Sequence, residues 1–484
     1  MRRKWLVLMM AASLAVGSGG TYAGMKWMES HEGGFAVDVA GVLKKGDKQA
    51  ETMNLKKVSQ AYDLIYSGYV EEVDKETLIE GAIEGMLAKL DDPYSVYMDQ
   101  ETAKQFHESL DSSFEGIGAE VGMDGGKIVI VSPFKNSPAE KAGLKPNDVI
   151  RKVDGKSVEG LDLYEATVKI RGKKGTIVEL EIERAGLKEP IKVKVKRDQI
   201  PVETVFSEIK EVNGKRIGYI ELTSFAEETA PDFKKQLKGL ERSEGGIAGL
   251  IIDVRGNPGG LLSSVEEILR EFVSEDKPFV MIEQRDGKRD KYFSTLKKEK
   301  DYPVAVLIDK GSASASEILA GALAEAEGYP LVGEKTFGKG TVQQAMPMGD
   351  GSNIKLTLFK WLTPDGNWIH KKGIKPTVEV AQPVIFSTHP LQVDGALQVD
   401  MNNEQVKTAQ IILEGLGYTP GRTDGYFSAG TVRSVKAFQQ QAGLQPTGKI
   451  DAKTAGALEK AILKERKKEK NDLQLRTALT LLAK

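Results

Sequence analysis

The stretch Val306-Leu307-Ile308-Asp309-Lys310-Gly311-Ser312-Ala313-Ser314-Ala315-Ser316-Glu317-Ile318 decides the architecture of the chain. A buried-type strand runs into a turn of small residues and then into a helix. Working outward, strand-like runs recur at 216–222, 249–254, 304–308 and 354–360, with helical stretches at 230–242, 262–273 and 316–326 between them. Strand–helix alternation over 200–380 predicts an α/β layer fold. The turn also carries chemistry. The first N–H groups of a helix have no intrahelical partner and can stabilise an oxyanion beside a hydroxyl. Any of Ser312, Ser314 and Ser316 can be that hydroxyl, and any can instead cap the helix, with Glu317 in its first turn.

Composition narrows the choice. The 484 residues make several domains' worth of chain. Charge nearly balances, with 68 Lys and Arg against 70 Asp and Glu and a net −2, so the basic excess that grips nucleic acid is missing. There is no Cys, which excludes a disulfide, a thiolate metal site and a cysteine nucleophile. Only four His occur, at 31, 107, 370 and 389, so a histidine base has few candidates.

A base is found elsewhere. In the run 332–344, VGEKTFGKGTVQQ, Gly338 and Gly340 flank Lys339. Glycine on both sides lets backbone come close and leaves the amine unscreened by neighbouring side chains. A lysine acts as general base only when neutral, so its ordinary pKa of about 10.4 must fall to about 7–8 through burial. A Ser–Lys pair answers the scarcity of His, although a single lysine is more usually a solvated charge. A third segment, DVRGNPGG at 253–260, ends a strand in a Gly/Pro turn. It is either a plain tight turn or the source of a second oxyanion donor from Gly259 or Gly260. His370, between Trp368 and Lys371, reads as a surface residue.

Outside this block the chain is segmented. Arg2, Arg3 and Lys4 precede an uncharged run from Trp5 to Gly17, the form of an export signal, cleaved after Ala23 or retained as an anchor. The polar stretch 24–53 reads as a linker. In 54–109, Leu55, Val58, Tyr62 and Ile65, then Ile79, Ile83, Met86 and Leu90, fall on helical faces, with Asp74 as a cap. This arm packs on the body or on a second copy of the chain. Residues 110–198 hold short strands at 127–131, 148–153, 177–184 and 191–197. Helices are expected from Ser137-Pro138 to Gly143 and over 162–169. The run Ser113–Val121 places Gly116 and Gly118 so that successive N–H groups converge on an anion. A peptide's terminal carboxylate fits there while the peptide adds an edge strand. Ile117, Ala119 and Leu163 are candidates for its side-chain pocket or for the core, and Arg171 for a sensor of bound peptide or a solvated turn. Residues 390–463 are helical, with Gly425–Thr431 echoing Gly448–Thr454. The stretch 464–484 holds seven Lys and Arg against three acidic residues and reads as a basic, solvated tail.

Taken together, SASASE, FGKGTVQ, DVRGNPGG and the closing WLTPDGNWIHKKGIKP resemble the carboxy-terminal processing peptidases, or tail-specific proteases, over roughly residues 54–380. The resemblance implies an α+β multidomain protein: an N-terminal helical arm, a PDZ β-sandwich or barrel at 110–198, a crotonase-like α/β protease core at 199–384, and a small helical C-terminal domain. It implies Ser314 as nucleophile, Lys339 as base, Gln343 as the residue that orients the lysine, and an oxyanion hole from the amides of Ala315 and Gly259. It implies a circularly permuted PDZ domain that binds C-terminal tails through Gly116, Ile117, Gly118 and Ala119, with Arg171 beside them, and gates the site. It calls for no metal and no cofactor. Residues 390–463 resemble peptidoglycan-binding domains of wall enzymes. The expectation is therefore an exported bacterial serine endopeptidase, secreted or anchored at the outer face of the cytoplasmic membrane or in the cell wall, homodimeric, acting on proteins with free C-termini, with a role in signalling proteolysis such as sporulation. The competing expectation is a catalytically silent PDZ and wall-binding scaffold.

Overall fold

Asp74 accepts the Thr77 N–H at 2.9 Å and starts a helix at the position that its spacing from Thr77 and Glu80 suggests. The computed structural model describes residues 48–484 apart from 125, 185, 186, 188, 389, 392 and 394. The expected export signal, most of the expected linker, His31 and His389 lie outside the described residues. The chain divides into two compact units, one of residues up to Ala103 with Gln343–Thr357, the other of Lys104–Val342 with Leu358–Lys484.

In the first unit, α1 (Lys48–Gly68) begins inside the stretch expected as linker, and α2 (Lys75–Ala88) follows the Asp74 cap. The expected apolar faces form, yet Leu55, Val58, Ile65, Ile79, Met86 and Leu90 stay exposed. β1 (Val96–Met98) comes next.

In the second unit, α3 (Gln100–Leu110) begins at the boundary and leads to β2 (Ser113–Gly116). β3 (Ala119–Asp124), β4 (Lys127–Pro133), α4 (Pro138–Lys141), β5 (Val149–Val153), β6 (Lys156–Ser157), α5 (Leu163–Ile170), β7 (Ile177–Glu183), β8 (Ile191–Lys196) and β9 (Asp198–Pro201) follow. Ser137 caps α4 with Pro138 in its first turn, and Gly143 follows it at φ +81°. Asp162 and Glu165 form a reciprocal capping box on α5. The sheet runs β3-β4-β5-β7-β8, with β6 on β5, and β2 pairs with β9. Val178, Leu180 and Ile182 alternate inward along β7 into a core with Ile128, Ile130 and Ile150. Among the described residues this path does not close, so the barrel alternative is corrected to an open sheet.

Residues 205–379 hold β10 (Val205–Val212), β11 (Lys215–Leu222), α6 (Thr229–Glu241), β12 (Gly249–Asp253), α7 (Leu262–Leu269), the hairpin of β13 (Pro278–Glu283) and β14 (Arg289–Phe293), β15 (Val304–Ile308), α8 (Ala315–Glu327), β16 (Leu331–Gly333), β17 (Thr341–Pro347), β18 (Asn353–Leu362) and β19 (Val378–Glu379), of which β10, β11, β12, β15, β16 and β19 make the central sheet. Strand order is β10-β11-β12-β15-β16-β19, antiparallel at β10/β11 and parallel thereafter. All five residues of β12 and of β15 are buried, as both faces of a parallel sheet are covered. Register pairs Asp253 with Leu307, so the loops leaving the carboxyl ends of β12 and β15 run side by side. That edge of an α/β sheet is where sites form. In the second unit β13 pairs with β14 and with residues 360–362 of β18; in the first unit β1 pairs with residues 353–355 of β18. The helix expected over 262–273 stops earlier, with Arg270 as its C-cap.

α9 (Glu404–Gly415), α10 (Ala429–Gln441) and α11 (Ala452–Arg466) enclose a separate core of Leu413, Phe427, Val435 and Leu458. The sequence echo has a physical basis here. Buried Gln410 accepts the Gly425 N–H and donates to Thr431, and buried Gln439 accepts the Gly448 N–H and donates to Thr454. The expected solvated tail is corrected. Residues 473–482 form α12 (Leu473–Leu482), and Leu475, Ala478, Leu479 and Leu482 bury against Ile217, Ile251, Ala305, Leu307 and Val332 of the central sheet. The cationic excess masked an apolar stripe at helical spacing.

Candidate active site

The three serines of SASASE part company. Ser312 Oγ donates to Val254 O at 2.8 Å and accepts the Asp309 N–H at 3.0 Å. Ser316 Oγ donates to Asn257 O at 2.9 Å. Both side chains are fully buried. Ser314 is half-buried and stands at the head of α8 with φ 54° and ψ −113°, a backbone setting costly for a residue with a Cβ. The two flanking hydroxyls pin the turn, and the middle one is held up in a strained bend.

Glu317, wholly buried, joins this turn to the lysine loop. Its Oε2 accepts the Ser314 N–H at 3.0 Å and the Lys339 N–H at 2.8 Å, so the two backbones meet on one oxygen. Its Oε1 accepts from Gly338 N at 2.8 Å and from Thr336 Oγ1 at 2.5 Å. A buried carboxylate with four donors is the arrangement that makes such burial tolerable.

The lysine loop is gripped from its other side by 361–373. Trp361 Nε1 donates to Lys339 O and Trp368 Nε1 to Gly340 O, each at 2.8 Å. Lys371 N donates to Gly338 O at 2.8 Å. The glycines are required by this approach: a Cβ on Gly338 would lie 2.9 Å from Gly373 N, and one on Gly340 2.8 Å from His370 N. His370 is therefore more than the surface residue expected. It stacks on Trp368, and its Nδ1 faces the Gly340 N–H at 3.4 Å. Lys339 itself is half-buried.

The 253–260 turn closes the site. A Cβ on Gly259 would fall 2.7 Å from Ala313 O, 2.8 Å from Ser314 Cβ and 3.0 Å from Ala315 N, so only glycine allows the turn this close. Proximity is as expected, but the donor is not: the Gly259 N–H is bonded to Asn257 Oδ1 at 2.8 Å. The Ala315 N–H, at the first position of α8, makes no hydrogen bond among the described residues.

The chain is similar to known proteins over its whole length. The family model "Peptidase family S41" matches residues 216–380, "Activating protease CtpB N-terminal domain" matches 14–102, "PDZ domain" matches 116–195 and "Putative peptidoglycan binding domain" matches 402–458. Carboxy-terminal processing protease CtpB of Bacillus subtilis (strain 168) is 57% identical over 482 residues, covering 100% of this chain and 99% of that one. Carboxy-terminal processing protease CtpA of the same organism is 45% identical over 91% of this chain and 93% of its own length. The solved photosystem II D1 C-terminal processing protease aligns over 67% of this chain and 86% of its own, with 30% identity and a TM-score of 0.42. The chain belongs to the carboxy-terminal processing proteases. It is a serine peptidase of family S41 with a PDZ domain.

In the PDZ domain, the carbonyls of Ile117 and Gly118 accept from Ala139 N and Phe134 N, while neither the Ile117 nor the Gly118 N–H donates to another described residue. Gly118 has φ +72°. Of the two readings open for Ile117, its side chain takes the core one, and Ala119 packs on that core too. Leu163 stays exposed. Arg171 stacks over the Phe114 ring, 4.7 Å from its centroid, and faces Glu108 at 3.9 Å, with its stem beside Gly116. Gln343, the third expected member of the catalytic set, lies on β17 in the first unit and donates to Thr357 Oγ1 at 3.0 Å. Sequence reasoning missed the roles of Glu317, Asn257, Trp361 and Trp368. A carboxylate at the third helical position after Ser314 was the one signal on offer, and it reads equally as a capping box.

Proposed function

We propose that this protein is an exported endopeptidase that recognises free C-terminal tails through its PDZ domain and cuts with Ser314 and Lys339. The observation that carries the proposal is the single Glu317 oxygen shared by the Ser314 and Lys339 amides. Neutral Lys339 Nζ takes the hydroxyl proton as Ser314 Oγ bonds to the scissile carbonyl carbon. The resulting oxyanion faces the Ala315 N–H and, once Asn257 releases it, the Gly259 N–H. The C–N bond then breaks, and the lysine ammonium hands its proton to the departing amine. Water attacks the acyl ester with Lys339 again as base, and Ser314 Oγ leaves and regains its proton. Gln343 orients the lysine.

In the PDZ domain, the Ile117 and Gly118 N–H groups take the terminal carboxylate, and Arg171 reports occupancy to gate the protease. The segments then act as export signal or anchor (1–23), dimerisation arm (54–109), PDZ domain (110–198), protease core (199–384) and wall-binding domain (390–463). The exposed apolar faces of α1 and α2 support a homodimer, which sedimentation tests. The peptidoglycan-binding match supports a place outside the cytoplasmic membrane.

The deciding experiment uses one unstructured peptide with a free or an amidated C-terminus, offered to the wild type, Ser314→Ala and Lys339→Met. Cleavage of the free form by the wild type alone supports the assignment. Equal inertness of all three sinks it in favour of a silent scaffold, and full activity of Lys339→Met removes the proposed base.

A further inference from the structure

We infer that Asp472, at the head of α12, is a positioning residue for the active-site turn. This rests on the Ser314/Lys339 assignment above.

The turn at 253–260 carries one long side chain, Arg255, and it reaches the base of α12. Its guanidinium meets Asp472 with two hydrogen bonds of 2.9 Å, Nη1 to Oδ1 and Nη2 to Oδ2. Nη1 also donates to Gln474 Oε1 at 3.1 Å. On its other flank Nη2 donates to Asp253 Oδ2 at 2.6 Å and Nε to Asp253 Oδ1 at 3.0 Å, and Tyr219 OH donates to Asp253 Oδ2 at 2.7 Å. Asp472 is in turn fixed by the Leu475 N–H at 2.9 Å and by Gln382 Nε2 at 2.6 Å, and Gln474 Nε2 donates to Val380 O at 2.9 Å. The pair is largely removed from water, with 16% of the Arg255 side chain and 13% of that of Asp472 exposed. A planar guanidinium held by two carboxylates has little freedom to turn.

What Arg255 holds still is the backbone that registers the nucleophile. Val254 O receives Ser312 Oγ, Asn257 O receives Ser316 Oγ at 2.9 Å and the Ala313 N–H at 3.0 Å, and the Gly256 N–H donates to Asp309 Oδ1 at 2.8 Å. Residues on either side of Arg255 thus bond to residues on either side of Ser314. A shift of the guanidinium is passed to the strained serine and to the oxyanion donors, where misplacement by a fraction of an ångström matters. The helix does not depend on this pair for its own seat, because its apolar residues pack on the sheet separately.

The test is steady-state cleavage of the free-C-terminus peptide by the full-length protein. Asp472→Asn is expected to lower kcat about 10-fold with KM within about twofold, and Asp472→Glu to recover most of the rate. Leu479→Ala, which loosens the helix without touching the pair, is expected to lower Tm while keeping kcat at a temperature where the protein is folded. If Asp472→Asn keeps kcat within about twofold of wild type, or loses activity only in proportion to the unfolded fraction measured by circular dichroism, the inference is overturned. If Ser314→Ala cleaves as well as wild type, it is the catalytic assignment that fails, whatever Asp472 does.

Discussion

The nucleophile loop, 309–317, and the lysine loop, 334–341, face each other across Glu317 but are held in different ways. The nucleophile loop is fixed by its own small residues: Ser312 and Ser316 bond to the carbonyls of the neighbouring turn, and Gly259 lets that turn close in. Its conformation is written in a few adjacent side chains. The lysine loop, apart from Thr336, has almost no such means. Its glycines only permit an approach, and two indoles and a backbone stretch 22 to 33 residues later make the bonds. The active site therefore joins one locally specified loop to one specified from a distance. Glu317 is where the two specifications must agree.

Removing that agreement should have the largest effect. Glu317→Gln keeps shape but turns an amide N–H toward one pair of its four donors. We expect kcat/KM to fall about 100-fold or more, with a loss of about 1–3 kcal/mol in stability for a buried donor left unpaired. Peptide cleavage and urea melts check it, and a rate near wild type would mean the loops are registered by something else. Next come the indoles. Trp361→Phe and Trp368→Phe each delete one N–H donor to the lysine loop, and about a 10-fold fall in kcat is expected for Trp361, whose ring is 1% exposed. A smaller fall is expected for Trp368, whose ring borders solvent and whose carbonyl partner, Gly340 O, also accepts the Trp361 backbone N–H at 3.2 Å. Equal effects would erase the contrast between a buried and an open clamp. On the nucleophile side, Ser312→Ala strips the Asp309 N–H and Val254 O of a partner, so it should cost about 1–3 kcal/mol of stability. The rate per folded molecule should stay within about threefold, since Ser314 keeps its turn through Ser316 and Glu317.

That contrast also explains what could be read in the sequence. The parallel strands at 249–253 and 304–308, the caps at Asp74, Ser137 and Asp162, and the strand–turn–helix that lifts Ser314 all follow from patterns a few residues long. The hairpin at 278–293 escaped notice because its second strand, Arg289–Phe293, is mostly charged and reads as surface. The tail escaped because Lys and Arg at 464–470 drew attention from the leucines at 475, 479 and 482. Lys339 stood out through its glycines, but what the glycines admit, the stretch 368–373, lies about 30 residues on and could not be paired with it from spacing alone. Gly259 was recognised by proximity. Its engagement with Asn257 Oδ1 depends on a side-chain rotamer that no spacing encodes.

The smallest expected effect is one of pH, and it belongs to the nucleophile side. Burial works to raise the Asp472 carboxyl, yet the hydrogen bonds and charge of Arg255 outweigh it and hold the group below the usual aspartate range. A carboxyl lowered in the folded state adds stability that is complete above its unfolded value, about 3.9, and is lost as pH falls through the folded value. The indole clamps on the lysine loop carry no titrating group and add no such slope. Urea midpoints measured from about pH 6 down to about pH 3 should therefore fall less steeply in Asp472→Asn than in wild type, while Trp361→Phe should be shifted by a constant amount across the same range. Parallel curves for wild type and Asp472→Asn would show that the Arg255 pair does not couple to folding. The support of the nucleophile loop would then be as insensitive to acid as that of its partner.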